Sequence, residues 1–154
     1  DITYIALGQG HVYLTAVIDW SSRYVISWKL SNSLDTAFCI ECLEDALEAE
    51  DRPEIFNTDQ GSQYSSEAFT GVLKSHDIRI SMDGKGRALD NVMIERLWRT
   101  VKYDDIFIRG YETMSELYQG LSAFFRKYNT RKHQTLGMSP EQKYREGLEM
   151  KDAA

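Results

Sequence analysis

The chain has 154 residues, 42% hydrophobic and 27% charged, the balance of one globular domain with a real core and not of a disordered segment. No apolar run is long enough for a bilayer span, which argues against a membrane-spanning chain; no basic-then-apolar leader is visible, and a chain that begins on Asp1 without Met reads as an excised domain. The net charge of −6 argues against a nucleic-acid partner only until its distribution is read: residues 1–78 carry 4 basic and 13 acidic side chains, whereas residues 79–133 carry 11 and 7.

Residues 2–6 are predicted as a first strand, with Gly8-Gln9-Gly10 turning the chain into a second at 11–18, rich in β-branched and aromatic residues. After Asp19-Trp20-Ser21-Ser22, residues 23–30 alternate: Tyr24, Ile26, Trp28 and Leu30 share one face, and Arg23, Val25, Ser27 and Lys29 the other. Three strands on short turns make an antiparallel meander. The period becomes helical over 34–50, where Ile40, Leu43 and Leu47 recur among acids. Ser33 or Asp35 can cap this helix and Asp51-Arg52-Pro53 stops it. Cys39 and Cys42 fall inside it, with no second pair and no nearby histidine, so they read as small buried residues of a reduced, cytoplasmic protein.

Residues 54–58 read as a short buried strand, after which Gly61 allows a sharp exit turn. A helix at 66–75 and a strand at 77–82 follow. Residues 83–87 read as a flexible loop, and Asp90 as the N-cap of a helix at 91–103. Helices at 115–128 and 140–146 complete the chain, the last opened by Pro140. The order β-β-β-α-β-α-β-α-α predicts an α/β domain with a mixed sheet, three antiparallel strands plus two parallel ones, and helices on both faces.

Three carboxylates stand out on this frame. Asp59 lies just past the end of a buried strand, where open α/β sheets place their ligands. Glu95 lies on a helix, with 35 residues between it and Asp59, sharing its face with Arg99 and Lys102 and with Arg96 nearby. Asp1 opens the first strand. Three acids on rigid elements suit a two-metal phosphoryl-transfer site, because Mg²⁺ takes hard oxygen ligands and leaves room for phosphate oxygens. Plainer readings stand beside each: a turn aspartate at 59, a surface Glu95–Arg99 pair, a frayed Asp1. Asp19 competes with Asp1 for the third place. The basic excess around Glu95 suits DNA phosphates. Ser62 is either a strand contact or a helix-capping hydroxyl. Tyr128, Asn129, Arg131 and His133 form a cluster that contacts DNA or a second subunit, or else ties down a helix end, the favoured reading.

Asp1-Ile2-Thr3-Tyr4-Ile5, the run Tyr13–Asp19 with Ser22-Arg23, and Asn57-Thr58-Asp59-Gln60-Gly61-Ser62-Gln63-Tyr64 resemble the integrase core of IS3-family bacterial insertion-sequence transposases. The resemblance continues through Ser81–Gly86, Asp90-Asn91, Glu95-Arg96-Leu97-Trp98 and Lys102-Tyr103, and closes with Tyr128-Asn129, Arg131, His133, Leu136-Gly137 and Ser139-Pro140. Lys132 stands where the family often has proline. The resemblance implies a ribonuclease H-like fold over 1–154 as one catalytic domain. Its D-D-E triad falls on Asp1, Asp59 and Glu95, holding two Mg²⁺ (or Mn²⁺) ions, and Asp19 keeps a structural role. It implies a transposase acting on DNA, both transposon ends and target, by 3′-end nicking and strand transfer in the bacterial cytoplasm. A homo-oligomer assembled on DNA is expected, with end recognition on a helix-turn-helix segment upstream. Ser62, Lys85, Arg87, Arg96, Arg99 and Lys102 are the expected DNA contacts. Two competing readings are a ribonuclease H-like nuclease that cuts without joining, and an inactive DNA-binding or assembly module.

Overall fold

The computed structural model describes residues 1–83 and 91–153. Strands β1 (Ile2–Leu7), β2 (Gly10–Ile18) and β3 (Val25–Ser31) form the antiparallel meander, with Ile5 opposite Val12, Thr3 opposite Leu14 and Ala16 opposite Trp28. Strands β4 (Ile55–Thr58) and β5 (Arg79–Met82) pair in parallel, Phe56 opposite Ile80. The expected three antiparallel and two parallel strands are all present, and hydrogen bonding groups them as β1-β2-β3 and β4-β5. The helices are α1 (Thr36–Ala49), α2 (Ser62–Ser65), α3 (Glu67–Ser75), α4 (Val92–Val101), α5 (Phe107–Arg109), α6 (Met114–Thr130) and α7 (Pro140–Ala153). None among the described residues is long and apolar enough to cross a membrane.

Period two along β1 and β2 splits the core between two faces. Ile5, Val12, Leu14 and Ala16 pack on Ile94, Leu97, Trp98 and Val101 of α4 and on Leu117, Leu121 and Phe125 of α6. On the opposite face Ile2 and Tyr13 pack on Phe38, Cys39 and Leu43 of α1 and on Phe69 and Leu73 of α3. Each fully buried Leu or Phe contributes about 1.5–3 kcal/mol. This two-sided burial clamps the meander between α4 and α1. Side-chain caps fix where helices begin: Asp35 accepts from the Phe38 amide, Ser66 from Phe69 and Thr113 from Glu116.

Three expectations change. The alternation read over 23–30 fails at its start, because the β2–β3 register shifts between Val17 and Ile18 and brings Val25 into the same core as Trp28. Arg23 belongs to the turn, at φ +62. The helix expected at 91–103 continues as a rod through a π-helical turn at Lys102–Ile106 into α5, ending only at Gly110, whose φ of +61 is a left-handed stop. The helix expected at 140–146 runs on to Ala153. Asp90, expected as an N-cap, lies outside the described residues. Asn91 stands at the N-cap of α4 without a side-chain cap bond.

The π-helical turn buries Asp105, only 6% exposed. Its carboxylate accepts from the Tyr111 hydroxyl at 2.8 Å and lies 3.7 Å from Arg109 Nε. Burial, and then this carboxylate, pushes the Tyr111 phenol up to about 12. Tyr111 fits because residue 120 on α6 is glycine: a Cβ there would fall on the tyrosine hydroxyl. The C-terminal end of α6 is tied to β3. The Asn129 amide accepts from the Val25 N–H at 2.9 Å and donates to the Val25 carbonyl at 3.0 Å. Arg23 Nη1 lies 3.2 Å from His133 Nε2 and, as a guanidinium, donates to it. Tethering of a helix end is therefore what Asn129 and His133 visibly do.

Two outcomes follow from this packing. Gly120→Ala forces Tyr111 off Asp105 and is expected to destabilise the fold by about 1–3 kcal/mol in urea unfolding. Burial raises both thiols, Cys42 to about 11, so both stay protonated at pH 8. A thiol titration with Ellman's reagent should find neither reactive in the native protein and both reactive in guanidinium. Rapid native labelling of either would contradict the buried placement.

Candidate active site

Asp1 continues the period of β1, on the side of Thr3 and Ile5 that faces α4. It is not frayed. Its carbonyl accepts from the Ala16 N–H at 3.3 Å and from Thr15 Oγ1 at 2.9 Å. Its carboxylate Oδ2 accepts from the indole N–H of Trp98 at 3.0 Å. Trp98 is 3% exposed and sits in the apolar stripe Ile94, Leu97, Trp98, Val101 of α4. A buried indole N–H needs an acceptor, and Asp1 is the one it finds.

Asp59 follows β4 directly, and its Oδ1 accepts from the Gly61 N–H at 2.8 Å. Gly61 has an ordinary φ of −59, so glycine is not needed there for a left-handed turn. It is needed for close approach: a Cβ would stand 2.8 Å from Asp59 Oδ1. Gly61 is also the N-cap of α2, which leaves Ser62 as the exposed first residue of that helix and not its capping hydroxyl. One turn in, the buried Tyr64 hydroxyl lies 2.8 Å from Thr15 Oγ1. Thr15 spends its single proton on the Asp1 carbonyl, so Tyr64 is the donor of this pair.

Glu95 lies on the exposed side of α4, one turn before Trp98. The plain Glu95–Arg99 salt bridge is not formed. The ion pairs among the described residues are Lys29–Asp45, Arg109–Asp105 and Arg145–Glu50. Arg99 instead lies over the Tyr103 ring, 5.7 Å from its centre. Asp1, Asp59 and Glu95 are thus without a cationic side chain among the described residues. No three His, Cys, Asp or Glu side chains among the described residues are already closed on one point. Carboxylates with hard oxygens and no cationic side chain paired to them are the donor chemistry a divalent cation takes.

Asp19 does other work. Its Oδ2 accepts from the Ser22 N–H at 2.9 Å and the Ser22 hydroxyl at 2.6 Å, which fixes the β2–β3 turn. A cleft of about 1100 Å³ separates α4 from α6, with Arg96 and Arg99 on one side, Lys127, Arg131 and Lys132 on the other and Tyr128 between. Lys102 is half-buried and does not line it. Lys85 and Arg87 lie outside the described residues. Reading the sequence for charge missed Trp98, Thr15 and Tyr64 as parts of the site. The available signal was a tryptophan at a core position three residues after the candidate glutamate.

Two family models described as "Integrase core domain" match the chain, over residues 1–88 and 76–140. Among curated proteins, the transposase for insertion sequence element IS629 of Shigella sonnei is 33% identical over 143 residues, covering 91% of this chain and 48% of that protein. Transposase InsF for insertion sequence IS3A of Escherichia coli K12 is 34% identical over 149 residues, covering 92% and 51%. The transposase for IS904 of Lactococcus lactis is 31% identical over 141 residues, covering 90% and 55%. The chain spans about half the length of these relatives. Among solved structures, the simian T-cell lymphotropic virus intasome has a chain that superposes with TM-score 0.80 at 22% identity, covering 92% of this chain and 51% of that one. The HTLV-2 integrase catalytic core in complex with magnesium gives 0.72 at 18%, covering 92% and 90%. The BIV integrase core gives 0.75 at 14%, covering 97% and 95%. These establish the fold, that of retroviral integrase cores. The chain belongs to the integrase core domain family and is similar to insertion-sequence transposases, those of IS3 among them.

Proposed function

We propose that residues 1–154 are one catalytic domain in which Asp1, Asp59 and Glu95 hold two Mg²⁺ or Mn²⁺ ions and carry out DNA 3′-end nicking and strand transfer. What supports this reading is membership of the integrase core family, together with Asp1, Asp59 and Glu95 on three separate elements, none of them paired with a cationic side chain among the described residues. When bound, the ions supply Lewis-acid activation of the attacking oxygen and stabilise the leaving 3′-oxygen. The chain's own residues fix where this happens. Asp1 is held by its strand, Asp59 by the Gly61 amide, and Glu95 by the buried stripe of α4.

In the first step water displaces a 3′-oxygen at the element's end, leaving a 3′-hydroxyl. In the second that hydroxyl attacks another phosphodiester, a new P–O bond replaces the old one, and a target 3′-hydroxyl leaves. No covalent enzyme intermediate is needed. Arg96, Arg99 and Lys102 on α4, Ser62 at the start of α2, and Lys85 and Arg87 are proposed to hold DNA phosphates. Transposon ends and target are the proposed partners, with a homo-oligomer assembled on them in the bacterial cytoplasm.

Asp59→Asn and Glu95→Gln should each fold normally by circular dichroism and lose metal-dependent joining of a pre-nicked end by about 100-fold or more. Joining that persists in both would refute the assignment, and nicking without any joining by the wild type would favour the plain nuclease. Binding to duplex DNA should weaken steeply between about 50 and 200 mM salt. Arg96→Ala and Arg99→Ala should each flatten that log–log slope by about 1. Unchanged slopes would place the DNA elsewhere.

A further inference from the structure

We infer that Trp98 is a positioning residue for the metal site, and that Tyr64 and Thr15 form a second tether to the same acid. The inference rests on the proposed role of Asp1 as a metal ligand and adds how that ligand is aimed. Trp98 Nε1 donates to Asp1 Oδ2 at 3.0 Å, and the indole is buried in the α4 stripe. Its ring cannot turn without leaving that core. The bond therefore fixes one carboxylate oxygen of Asp1 relative to α4, the helix that carries Glu95 three residues earlier. The other oxygen, Oδ1, makes no hydrogen bond to the described residues and is the one left for a cation.

The second tether comes from the opposite side. Tyr64, on the helix that begins three residues after Asp59, donates to Thr15 Oγ1 at 2.8 Å. Thr15 donates to the Asp1 carbonyl at 2.9 Å. The side chain of Asp1 is thus bound to the helix of Glu95, and its peptide to the helix that follows Asp59. Three acids distant in sequence are linked by two hydrogen-bond paths that use no metal ligand other than Asp1. Hydrogen bonds that orient a ligand typically govern metal affinity by about 10–100-fold.

The experiment is Mn²⁺ titration of wild type, Trp98→Phe and Tyr64→Phe, followed by the loss of free-ion electron paramagnetic resonance signal. Tyr64→Phe removes only a hydroxyl, whereas Trp98→Phe keeps an aromatic ring in the core but removes buried volume along with the donor, which the apo midpoints register. Thermal midpoints in chelator are measured alongside. The expected result is a rise of about tenfold or more in Mn²⁺ Kd for Trp98→Phe, and a smaller rise for Tyr64→Phe, in proteins whose apo spectra match wild type. A purely structural role would lower the apo midpoints and leave Kd unchanged, and that result overturns the inference while leaving the metal site intact. Should Trp98→Phe not fold, an unchanged Kd in Tyr64→Phe alone removes the second tether. Wild type that binds no Mn²⁺ overturns both this inference and the proposed function.

Discussion

The hydrogen bond from the Trp98 indole to Asp1 is the contact on which the candidate site depends, because it joins a buried core to a carboxylate at the surface. Burial forces the indole to find an acceptor, and the strand register decides which one. Asp1 shares a face with Thr3 and Ile5, that face packs on α4, and α4 presents Trp98 there because Ile94, Leu97 and Val101 bury the same stripe. The apolar packing that stabilises the domain thereby sets the distance between two elements bearing acids. Catalytic geometry of this kind tolerates errors of only about 0.5 Å, which loops alone seldom hold.

The same logic operates on the other side of the sheet. Asp59 follows a short parallel strand, and the chain then turns at once into α2, whose Tyr64 is buried against α1 and α3. That burial brings the Tyr64 hydroxyl to Thr15, the β2 residue that pairs with Ile2 of β1. Both cores therefore end at Asp1, one through its side chain and one through its backbone. Cations occupy the next layer out: Arg96 and Arg99 project from α4 away from its buried stripe, and neither neutralises Glu95. A net acidic protein can in this way gather cations in the cleft between α4 and α6.

The period-two and helical patterns made the element order, the meander and the two-sided packing legible, because they follow from alternating burial. The acids at 59 and 95 are singled out as candidates by residue type, spacing and resemblance. Three things were not. The bulge between Val17 and Ile18 changes the facing of Val25 through backbone register, which no alternation reveals. The π-helical turn at Lys102–Ile106 depends on Tyr111 and Gly120, distant residues that make burial of Asp105 tolerable. The tethers of Asp1 unite residues 1, 15, 64 and 98, and only the assembled sheet brings them together. Residues 84–90 carry three of the candidate residues, Lys85, Arg87 and Asp90, and lie outside the described structure.

The most direct test is a crystal of this domain soaked in Mn²⁺, with the ions located by anomalous scattering. The expected map has density ligated by Asp1 Oδ1 together with Asp59 and Glu95, with the Trp98 indole still bonded to Asp1 Oδ2. Density ligated by Asp19 or by other acids, with Asp59 and Glu95 on no common ion, would contradict the three-acid site and everything built on it.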